Sequence, residues 1–364
     1  MFQLFQRPTC PLLRDSSDII QFSMKTIAVF NNKGGVGKTT LLCNIASCLQ
    51  LEQQKRVLII DADPQCNATI YLFNPEQIDS FYNNSTQHTI YNIVHPLKRG
   101  KGYLVQQDIP IVCSDGFGVD CIIGDTRFAV LEDFLSSEWL SSSRGEERAL
   151  NTTFVFKDLV QKLSDQYDYI FFDIGPSLGA INRSVLLACD YFIIPMSSDI
   201  FSIKAIENIS ESLHEWKDGF NRNLAEYNRQ ENEEYKVGNI PVHFQLKFMG
   251  YVNQQYTIKR VEGQARPVKA YDTIIKRMPS IITSKLSEFI PQPFNLRKLA
   301  LGEIPNLHSL IPLSQSANKP IFNLSGRDGV VGAHFKKVAD FKDVICKISE
   351  HILTNIEDYD QMAQ

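Results

Sequence analysis

The sequence predicts an α/β fold in which a mostly parallel, twisted sheet carries helices on both faces. Short apolar runs of strand length alternate with longer segments of helical pattern along most of the 364 residues, and this alternation is typical of parallel sheets. Two of these runs, 56–61 and 169–172, are closed by an acidic residue. A glycine-rich segment, 31–40, joins the first strand to the first helix. These features predict a ligand site at the carboxyl edge of the sheet.

The segment 31–40 reads NNKGGVGKTT and has the features of a phosphate-binding loop. Its glycines lack a Cβ, so successive backbone N–H groups can converge on a polyphosphate. The helix that follows adds the positive end of its dipole at the same point. We expect Lys38 to reach the β- and γ-phosphates and the Thr39 hydroxyl to ligate Mg²⁺. The alternative is a glycine-rich turn that merely carries a lysine, and the flanking strand and helix argue against it.

Composition limits the class of protein. The formal charge of −4 excludes a globally basic nucleic-acid coat, although it leaves room for a local basic patch. No run of about eighteen apolar residues is present, and residues 1–23 lack the apolar core of a secretory signal. We therefore expect a cytoplasmic protein without a membrane partner. The eight cysteines include no C-x-x-C pair and are interpreted as reduced, buried thiols rather than disulfides or zinc ligands.

The order of the elements follows from the apolar periodicity. We expect strands at 26–30, 56–61, 121–123, 169–172, 191–195, 248–252 and 309–311. We expect helices at 41–51, 89–94, 128–140, 154–164, 182–188, from Ser202 onward, and at 333–353. The serine-rich segment 136–143 is interpreted as a loop, the polar run 221–235 as a solvated helix end or loop, and the basic region 257–300 as largely helical.

A single domain is expected over residues 24–355, with insertions at about 70–150 and 219–300. Residues 1–23 form a short arm or lie upstream of a true start at Met24. Residues 356–364 are expected to be an acidic tail.

Acidic residues follow two of the predicted strands. One acid after one apolar strand is usually a turn residue, but two such acids on a chain with a phosphate loop indicate a nucleotide site. Asp173 suits the Walker B position, where it holds Mg²⁺ through water. Asp63 could orient or deprotonate the attacking water, while Asp61 supports the metal shell.

The loop also departs from the plain Walker A pattern, because Asn32 occupies the position of the first glycine and Lys33 precedes the glycine pair. K-G-G-V-G-K-T resembles the deviant Walker A loop of the ParA/MinD superfamily of dimeric P-loop ATPases. The segments RVLIIDADPQCNAT (56–69) and 167–209 are similar to that family's second-strand and Walker B regions. The resemblance covers most of residues 24–355 and is weakest in the two insertions.

The resemblance implies slow, partner-stimulated hydrolysis of ATP with Mg²⁺ by an ATP-dependent homodimer. It also implies that Lys33 crosses the dimer interface to the partner's nucleotide, where a cation acts as an arginine finger does. Asn253 resembles the residue that contacts adenine, with a plain turn asparagine as the alternative. The expected nucleotide-binding residues are Lys33, Gly34, Gly35, Val36, Gly37, Lys38, Thr39, Thr40 and Asn253.

Charge distinguishes the branches of this family. The acidic C-terminal end argues against docking on anionic membranes. Residues 247–298 hold ten basic and three acidic residues, a local balance of 10 − 3 = +7, and this asymmetry favours phosphate contact over an ordinary solvated helical face. The candidate DNA contacts are Lys259, Arg260, Lys269, Lys276 and Arg277.

The sequence therefore favours a ParA-type ATPase that segregates or positions plasmid or chromosomal DNA, or another large cargo, through nonspecific DNA binding. Such a protein would be nucleoid-associated and work with a ParB-like or other adaptor protein. The alternative is an ATP-dependent switch that controls an effector in a defence or conjugation module without partitioning DNA. The protein encoded by the neighbouring reading frame would discriminate between the two functions: a ParB-like partner favours partitioning, and an effector enzyme favours the switch.

Overall fold

The computed structural model describes residues 23–83, 89–197, 199–256, 258–261, 264–267, 269–307 and 309–363. The side chains of residues 200 and 255–276 lie outside this description. The arm expected at residues 1–23 falls almost wholly outside it as well.

The described strands are β1 Lys25–Val29, β2 Val57–Asp61, β3 Val112–Ser114, β4 Val119–Ile122, β5 Tyr169–Asp173, β6 Tyr191–Ser197, β7 Lys236–Val237, β8 Ile240–Pro241, β9 Lys247–Tyr256, β10 Ile258–Val261, β11 Gln264–Pro267 and β12 Ala300–Pro305. The described helices are α1 Lys38–Leu51, α2 Asn67–Leu72, α3 Pro75–Asn83, α4 Ile90–Lys98, α5 Glu132–Ser142, α6 Glu147–Thr153, α7 Val155–Leu163, α8 Ala180–Leu186, α9 Ile200–Glu231, α10 Lys269–Leu286, α11 Leu310–Ala317 and α12 His334–Ala363.

Eight strands form the main sheet in the order β12-β9-β6-β1-β5-β2-β4-β3. Every neighbouring pair is parallel except β3 and β4 at one edge. The central strands β2 and β5 are buried along their whole length, as expected when helices cover both faces of a parallel sheet. The predicted α/β fold class is confirmed.

One continuous apolar core surrounds the sheet, and a smaller cluster lies beside it. The smaller cluster joins Phe154 and Leu187 to side chains of the second insertion, among them Phe220, Tyr227 and Tyr235. The polar run 221–235 was interpreted as a solvated helix end or loop. It is the largely exposed end of α9, which continues to Glu231, and its buried Leu224, Tyr227 and Tyr235 face this cluster.

The prediction of a loop at 136–143 is wrong, because α5 runs through to Ser142. The hydroxyls of Ser137 and Ser142 donate to the carbonyls of Phe134 and Trp139, three residues earlier. Serine can satisfy its hydroxyl within a helix in this way, so a serine run does not by itself end one.

The prediction of a strand at 309–311 is also wrong. Helix α11 begins at Leu310, and the last strand of the sheet is β12. A short apolar run has no period that separates a strand from a buried helix. The region 257–300 is less helical than predicted, because the backbone of β10 and β11 forms an antiparallel hairpin before α10.

The acidic segment 356–363 continues α12 rather than forming a separate tail. Tyr359 is buried there and its hydroxyl donates to the Phe248 carbonyl at 2.7 Å. Among the described helices, none combines the length and the apolar character needed to cross a bilayer.

Candidate functional site

A cavity of about 450 Å³ opens at the carboxyl edge of the sheet, between the loops that follow β1, β2 and β5. These strands lie side by side in parallel register, with Val29 and Asp61 each paired with Asp173. Their carboxyl ends therefore deliver the phosphate loop and both acidic segments to one place, as parallel topology dictates.

The phosphate loop surrounds one side of this cavity. Gly35 and Gly37 adopt positive φ angles of 72° and 74°, and residues that carry a Cβ rarely adopt such angles. At Gly37 an added Cβ would also collide with the side chain of Gln254. The predicted loop residues that line the cavity are Gly34, Gly35, Val36, Gly37, Lys38, Thr39 and Thr40.

Lys38 is the first residue of α1 and is only 8% exposed. Its Nζ donates to the Lys33 carbonyl at 3.3 Å, so the side chain folds back over the loop beside the cavity. Burial lowers the pKa of this amine, while the charges of Asp173 and Asp63 partly offset that effect. A phosphate group in the cavity would supply the anionic partner that this buried cation lacks.

Thr39 lines the cavity, and its hydroxyl donates at 2.8 Å to Oδ2 of Asp173, which is fully buried behind it. The other carboxylate oxygen of Asp173, Oδ1, is buried and has no hydrogen-bond partner. Burial and then the neighbouring Asp61 raise the pKa of Asp173. An orphaned oxygen in an anionic site fits a hard cation such as Mg²⁺, which prefers oxygen ligands.

This site provides only part of a coordination shell. Within the described ranges, no three His, Cys, Asp or Glu side chains form a metal centre by themselves. Magnesium sites commonly use one or two protein ligands, with water and substrate phosphates completing the octahedron. The residues present therefore fit Mg²⁺ that arrives with a nucleotide.

Asp63 lines the cavity and is 5% exposed. One carboxylate oxygen accepts from the Gln65 backbone N–H at 3.0 Å, and the other accepts from the Asn67 side chain at 3.4 Å. Gly175, after β5, packs so closely that an added Cβ would stand 3.2 Å from Oδ1 of Asp63. These contacts hold the side chain of Asp63 at the cavity wall.

Asp61 was predicted to support the metal and, like Asp173, is fully buried behind the residues that line the cavity. Its Oδ2 accepts from the Thr69 backbone N–H at 2.7 Å and from the Thr69 hydroxyl at 2.6 Å. The same hydroxyl accepts from the Gly124 N–H at 2.8 Å. Burial raises the pKa of Asp61 to about 7. The structure thus uses Asp61 to fix α2 and the loop after β4 beneath Asp63.

Lys33 lies outside the cavity and points toward the end of β6. Its Nζ donates to the Ser197 hydroxyl at 3.0 Å and forms an ion pair with Asp199. Asp199 also caps α9 by accepting from the Phe201 N–H at 2.9 Å. In this single chain, Lys33 is held against its own protomer.

Asn253 lies inside β9 rather than after its end, because that strand pairs on both sides as far as residues 254–256. Its Nδ2 donates to Glu303 Oε1 on β12 at 3.5 Å, and it is not one of the residues around the cavity. The next residue, Gln254, instead donates to the Gly37 carbonyl at 3.2 Å. Successive strand residues face opposite sides, so only one of the two can meet the loop.

Several residues around the site were not predicted. Asn182 donates to the carbonyls of Gly175 and Ser177 at 2.7 and 2.6 Å and fixes the turn after Asp173. Asn67 follows the predicted Asp63 by four residues, and this short spacing could have indicated that it belongs to the site. Gln315 and Tyr71 reach the cavity from α11 and α2, and no local pattern marks them.

The predicted DNA contacts fall on the second insertion. Lys259, Arg260, Lys269 and Lys276 belong to β10 and α10, and their side chains lie outside the described part of the structure. Arg277 on α10 is exposed.

The fold and the cavity define a nucleotide-binding α/β protein with a phosphate loop. Residues 24–226 match the AAA domain family AAA_31, and the chain belongs to this family and to the ParA/MinD superfamily of ATPases. The predicted family is confirmed.

Curated relatives agree with this assignment. The chain is 32% identical over 191 residues to the virulence plasmid ParA family protein pGP5-D of Chlamydia psittaci, a match of 52% of this chain and 62% of that protein. It is 29% identical over 186 residues to the sporulation initiation inhibitor protein Soj of Bacillus subtilis, covering 51% of this chain and 63% of Soj. The chain thus spans less than two thirds of the length of each.

Solved structures share the fold over more of the chain. Protein DIP2308 of Corynebacterium diphtheriae is 30% identical with a TM-score of 0.67, over 81% of this chain and 97% of that one. The ATP complex of an McdA variant from Cyanothece is 17% identical with a TM-score of 0.58, over 92% and 97% of the two chains. A putative plasmid partition protein of Borrelia burgdorferi bound to AMPPNP is 22% identical with a TM-score of 0.53, over 92% and 99%. The last two likenesses concern the fold alone.

Proposed function

We propose that this protein is a Mg²⁺-dependent ATPase that dimerises with ATP and, like ParA, segregates or positions DNA or another large cargo. The observation that carries the proposal is that Lys38, Thr39 and Asp63 line one open cavity at the carboxyl edge of the sheet, while the buried Asp173 is hydrogen-bonded to Thr39 directly behind it. A phosphate loop, a buried lysine and two acids in this arrangement are the parts of a phosphoryl-transfer site.

The loop binds the triphosphate in this proposal. Backbone N–H groups around Gly35 and Gly37 and the amine of Lys38 hold the β- and γ-phosphates. Thr39 and Asp173 hold the metal side of the site, where bound Mg²⁺ neutralises charge on the phosphates. The loop belongs to the deviant Walker A type, with Lys33 as its additional lysine.

Asp63 acts on the attacking water. Its carboxylate lies at the cavity wall with its orientation fixed by Gln65 and Asn67, so it can accept a hydrogen bond from a water in line with the γ-phosphate. Asp61 serves as a positioning residue, because its bonds to Thr69 hold the start of α2.

The base occupies the apolar cleft beside Gly37 and Thr40. The apolar side chains around that cleft are those of Leu41, Ile304, Pro305, Leu307, Ile311 and Phe341. Its free volume is about 20 Å³, which is too small for a purine, so the walls must separate when nucleotide binds. In this proposal the adenine contacts the end of β12, rather than Asn253 as the sequence predicted.

Lys33 completes the partner's site across a homodimer interface. To do so, it must leave Ser197 and its ion pair with Asp199. The phosphates of a second protomer would supply a stronger anionic partner than one half-exposed carboxylate. Hydrolysis is then slow in the monomer and depends on dimer formation.

The cargo is DNA in the leading form of the proposal. The relatives include the plasmid ParA family protein of Chlamydia psittaci and a chromosome partitioning protein ParA of Myxococcus xanthus, which is 27% identical over 201 residues. The basic composition of residues 247–298 suits contact with phosphate backbones. An adaptor protein of the ParB type would stimulate hydrolysis.

Sedimentation velocity tests the dimerisation step. We expect the wild-type chain to sediment as a monomer with ADP and as a dimer with ATP and Mg²⁺ at micromolar concentration. Lys38→Ala should remain monomeric with either nucleotide. A wild-type chain that stays monomeric with saturating ATP contradicts the proposal.

A further inference from the structure

Two cysteines that are 298 positions apart in sequence meet between α1 and α12. Cys48 lies near the end of α1, Cys346 lies in the first half of α12, and their sulfurs are 3.2 Å apart. Cys48 is buried and Cys346 is half-buried. The two helices are also joined next to this pair by an ion pair of 2.8 Å between Lys342 and Glu52. The thiols are therefore held as neighbours by the packing of two long helices.

We propose that Cys48 and Cys346 are a redox modification site, at which a peroxide converts the two thiols into a reversible disulfide that ties α12 to α1. A disulfide needs its sulfurs at roughly 2.0 Å, so they must approach by about 1.2 Å. Rotation of the two side chains about χ1 changes the distance between the sulfurs.

The half-buried Cys346 reacts first, because the oxidant can reach it from solvent. Its thiolate attacks a peroxide oxygen, the O–O bond breaks, and Cys346 becomes a sulfenic acid while hydroxide leaves. The sulfur of Cys48, having lost its proton, then attacks the sulfenic sulfur. The S–S bond forms, the S–O bond breaks and hydroxide leaves. Overall, two thiols and one hydrogen peroxide give one disulfide and two waters.

The second step limits the rate. Burial, and then the contact with Cys346, raises the pKa of Cys48 to about 12, so little of this thiol is ionised at neutral pH. Closure of the disulfide is expected to accelerate as pH rises from 7 to 9, roughly tenfold for each unit while the thiolate remains scarce.

Peptide mapping of the full-length protein tests the site. The protein is treated with a small excess of hydrogen peroxide, free thiols are blocked, and the chain is digested without reductant. We expect a peptide that links Cys48 to Cys346 and disappears with dithiothreitol. We also expect Tm to rise by about 5 °C on oxidation, because the bridge closes a loop of nearly 300 residues, and to return on reduction.

Matched variants separate this pair from the other thiols. Cys346→Ser and Cys48→Ser should each abolish both the linked peptide and the rise in Tm. Cys113→Ser, at another half-buried thiol on the edge strand β3, should leave both unchanged.

Two outcomes overturn the proposal. In one, Cys346 is oxidised to a sulfinic acid without any linked peptide; in the other, both thiols remain free under peroxide that oxidises Cys113. Neither readout uses a nucleotide, so the result is independent of the proposed ATPase activity.

Discussion

The Thr39 hydroxyl donates a 2.8 Å hydrogen bond to Oδ2 of Asp173, which joins the first turn of α1 to the end of β5. The second oxygen of Asp173 is buried without a partner. A buried, half-satisfied carboxylate is costly, and here it lies beside the cavity that the phosphate loop surrounds. The arrangement is explained if a cation completes the shell when nucleotide binds.

Asp173→Asn should remove the Mg²⁺-dependent part of ATP binding. The amide keeps the size of the side chain but loses the charge that attracts the ion, so we expect ATP affinity with Mg²⁺ to fall roughly tenfold or more. Affinity without Mg²⁺ should change little. Titration calorimetry with and without Mg²⁺ measures both. Thr39→Ser is the matched control that retains the hydroxyl, and an equal benefit from Mg²⁺ in wild type and Asp173→Asn contradicts the assignment.

Asp63→Ala should trap an ATP-bound dimer that does not turn over. Loss of a general base or water-orienting group costs about 10²- to 10⁴-fold in rate, while the phosphate loop remains intact. Gln65→Ala is the matched control, because Gln65 contacts Asp63 through its backbone N–H and its truncation leaves that bond in place. Phosphate release and sedimentation of both variants provide the comparison. Equal turnover by wild type and Asp63→Ala refutes the assignment.

Much of the fold could be predicted because its signals are local. The loop at 31–40 and the strands that end in Asp61 and Asp173 each combine an apolar run with the residues that terminate it. The last strand could not be placed, because the run at 309–311 has the same short apolar pattern in a helix as in a strand. Asn253 could not be placed, because β9 continues past the predicted end at residue 252 to Tyr256, and within the strand it is Gln254 that meets Gly37.

The residues of the phosphate loop and of the strand ends could be predicted from the sequence, whereas the residues that surround them could not. Lys38, Thr39 and Asp173 belong to contiguous motifs with a chemical reason for their spacing. The role of Asp61 depends on Thr69 and Gly124, and the proximity of Cys48 to Cys346 depends on how two helices pack. Such contacts join distant parts of the chain and leave no periodic trace in the sequence.

The free energy of unfolding of the nucleotide-free protein should depend on pH because Asp61 titrates. Its pKa is about 7 when folded and near 3.8 ordinarily, so between these values only the folded state holds the proton. The resulting stability is complete below about pH 4 and is lost as pH rises through 7. Relative to Asp61→Asn, the free energy of unfolding of the wild type should fall by on the order of 4 kcal/mol across that window. Urea denaturation from pH 5 to 8 measures most of the change, and parallel curves for the two proteins would disprove it.

DNA binding, if it uses residues 247–298, should be ATP-dependent, nonspecific and sensitive to salt. With about four phosphate contacts per dimer, the logarithm of the association constant falls with a slope of roughly −3.6, or about 100-fold between 50 and 200 mM salt. Charge reversal with Lys276→Glu and Arg277→Glu should weaken binding to all duplexes equally and leave basal ATPase activity unchanged.

The exposed pair Lys336 and Lys337 on α12 offers a matched control for that experiment. Reversing both changes the net charge by the same amount outside the basic region, so DNA affinity should fall far less. An ATP dimer that gives no mobility shift with nonspecific duplex at 50 mM salt removes the basis for partitioning. The effector-switch alternative would then become the leading function.

The protein-concentration dependence of ATP turnover tests the central claim most directly. Because Lys33 rests on Asp199 of its own chain and is proposed to act on a partner's nucleotide, phosphate release per protomer should rise with protein concentration and level off as the dimer saturates. Lys33→Ala should bind ATP within about twofold of wild type and lose this rise, and Lys38→Ala should lose binding or turnover altogether. Turnover per protomer that is independent of concentration, or unchanged in Lys33→Ala, would contradict the account.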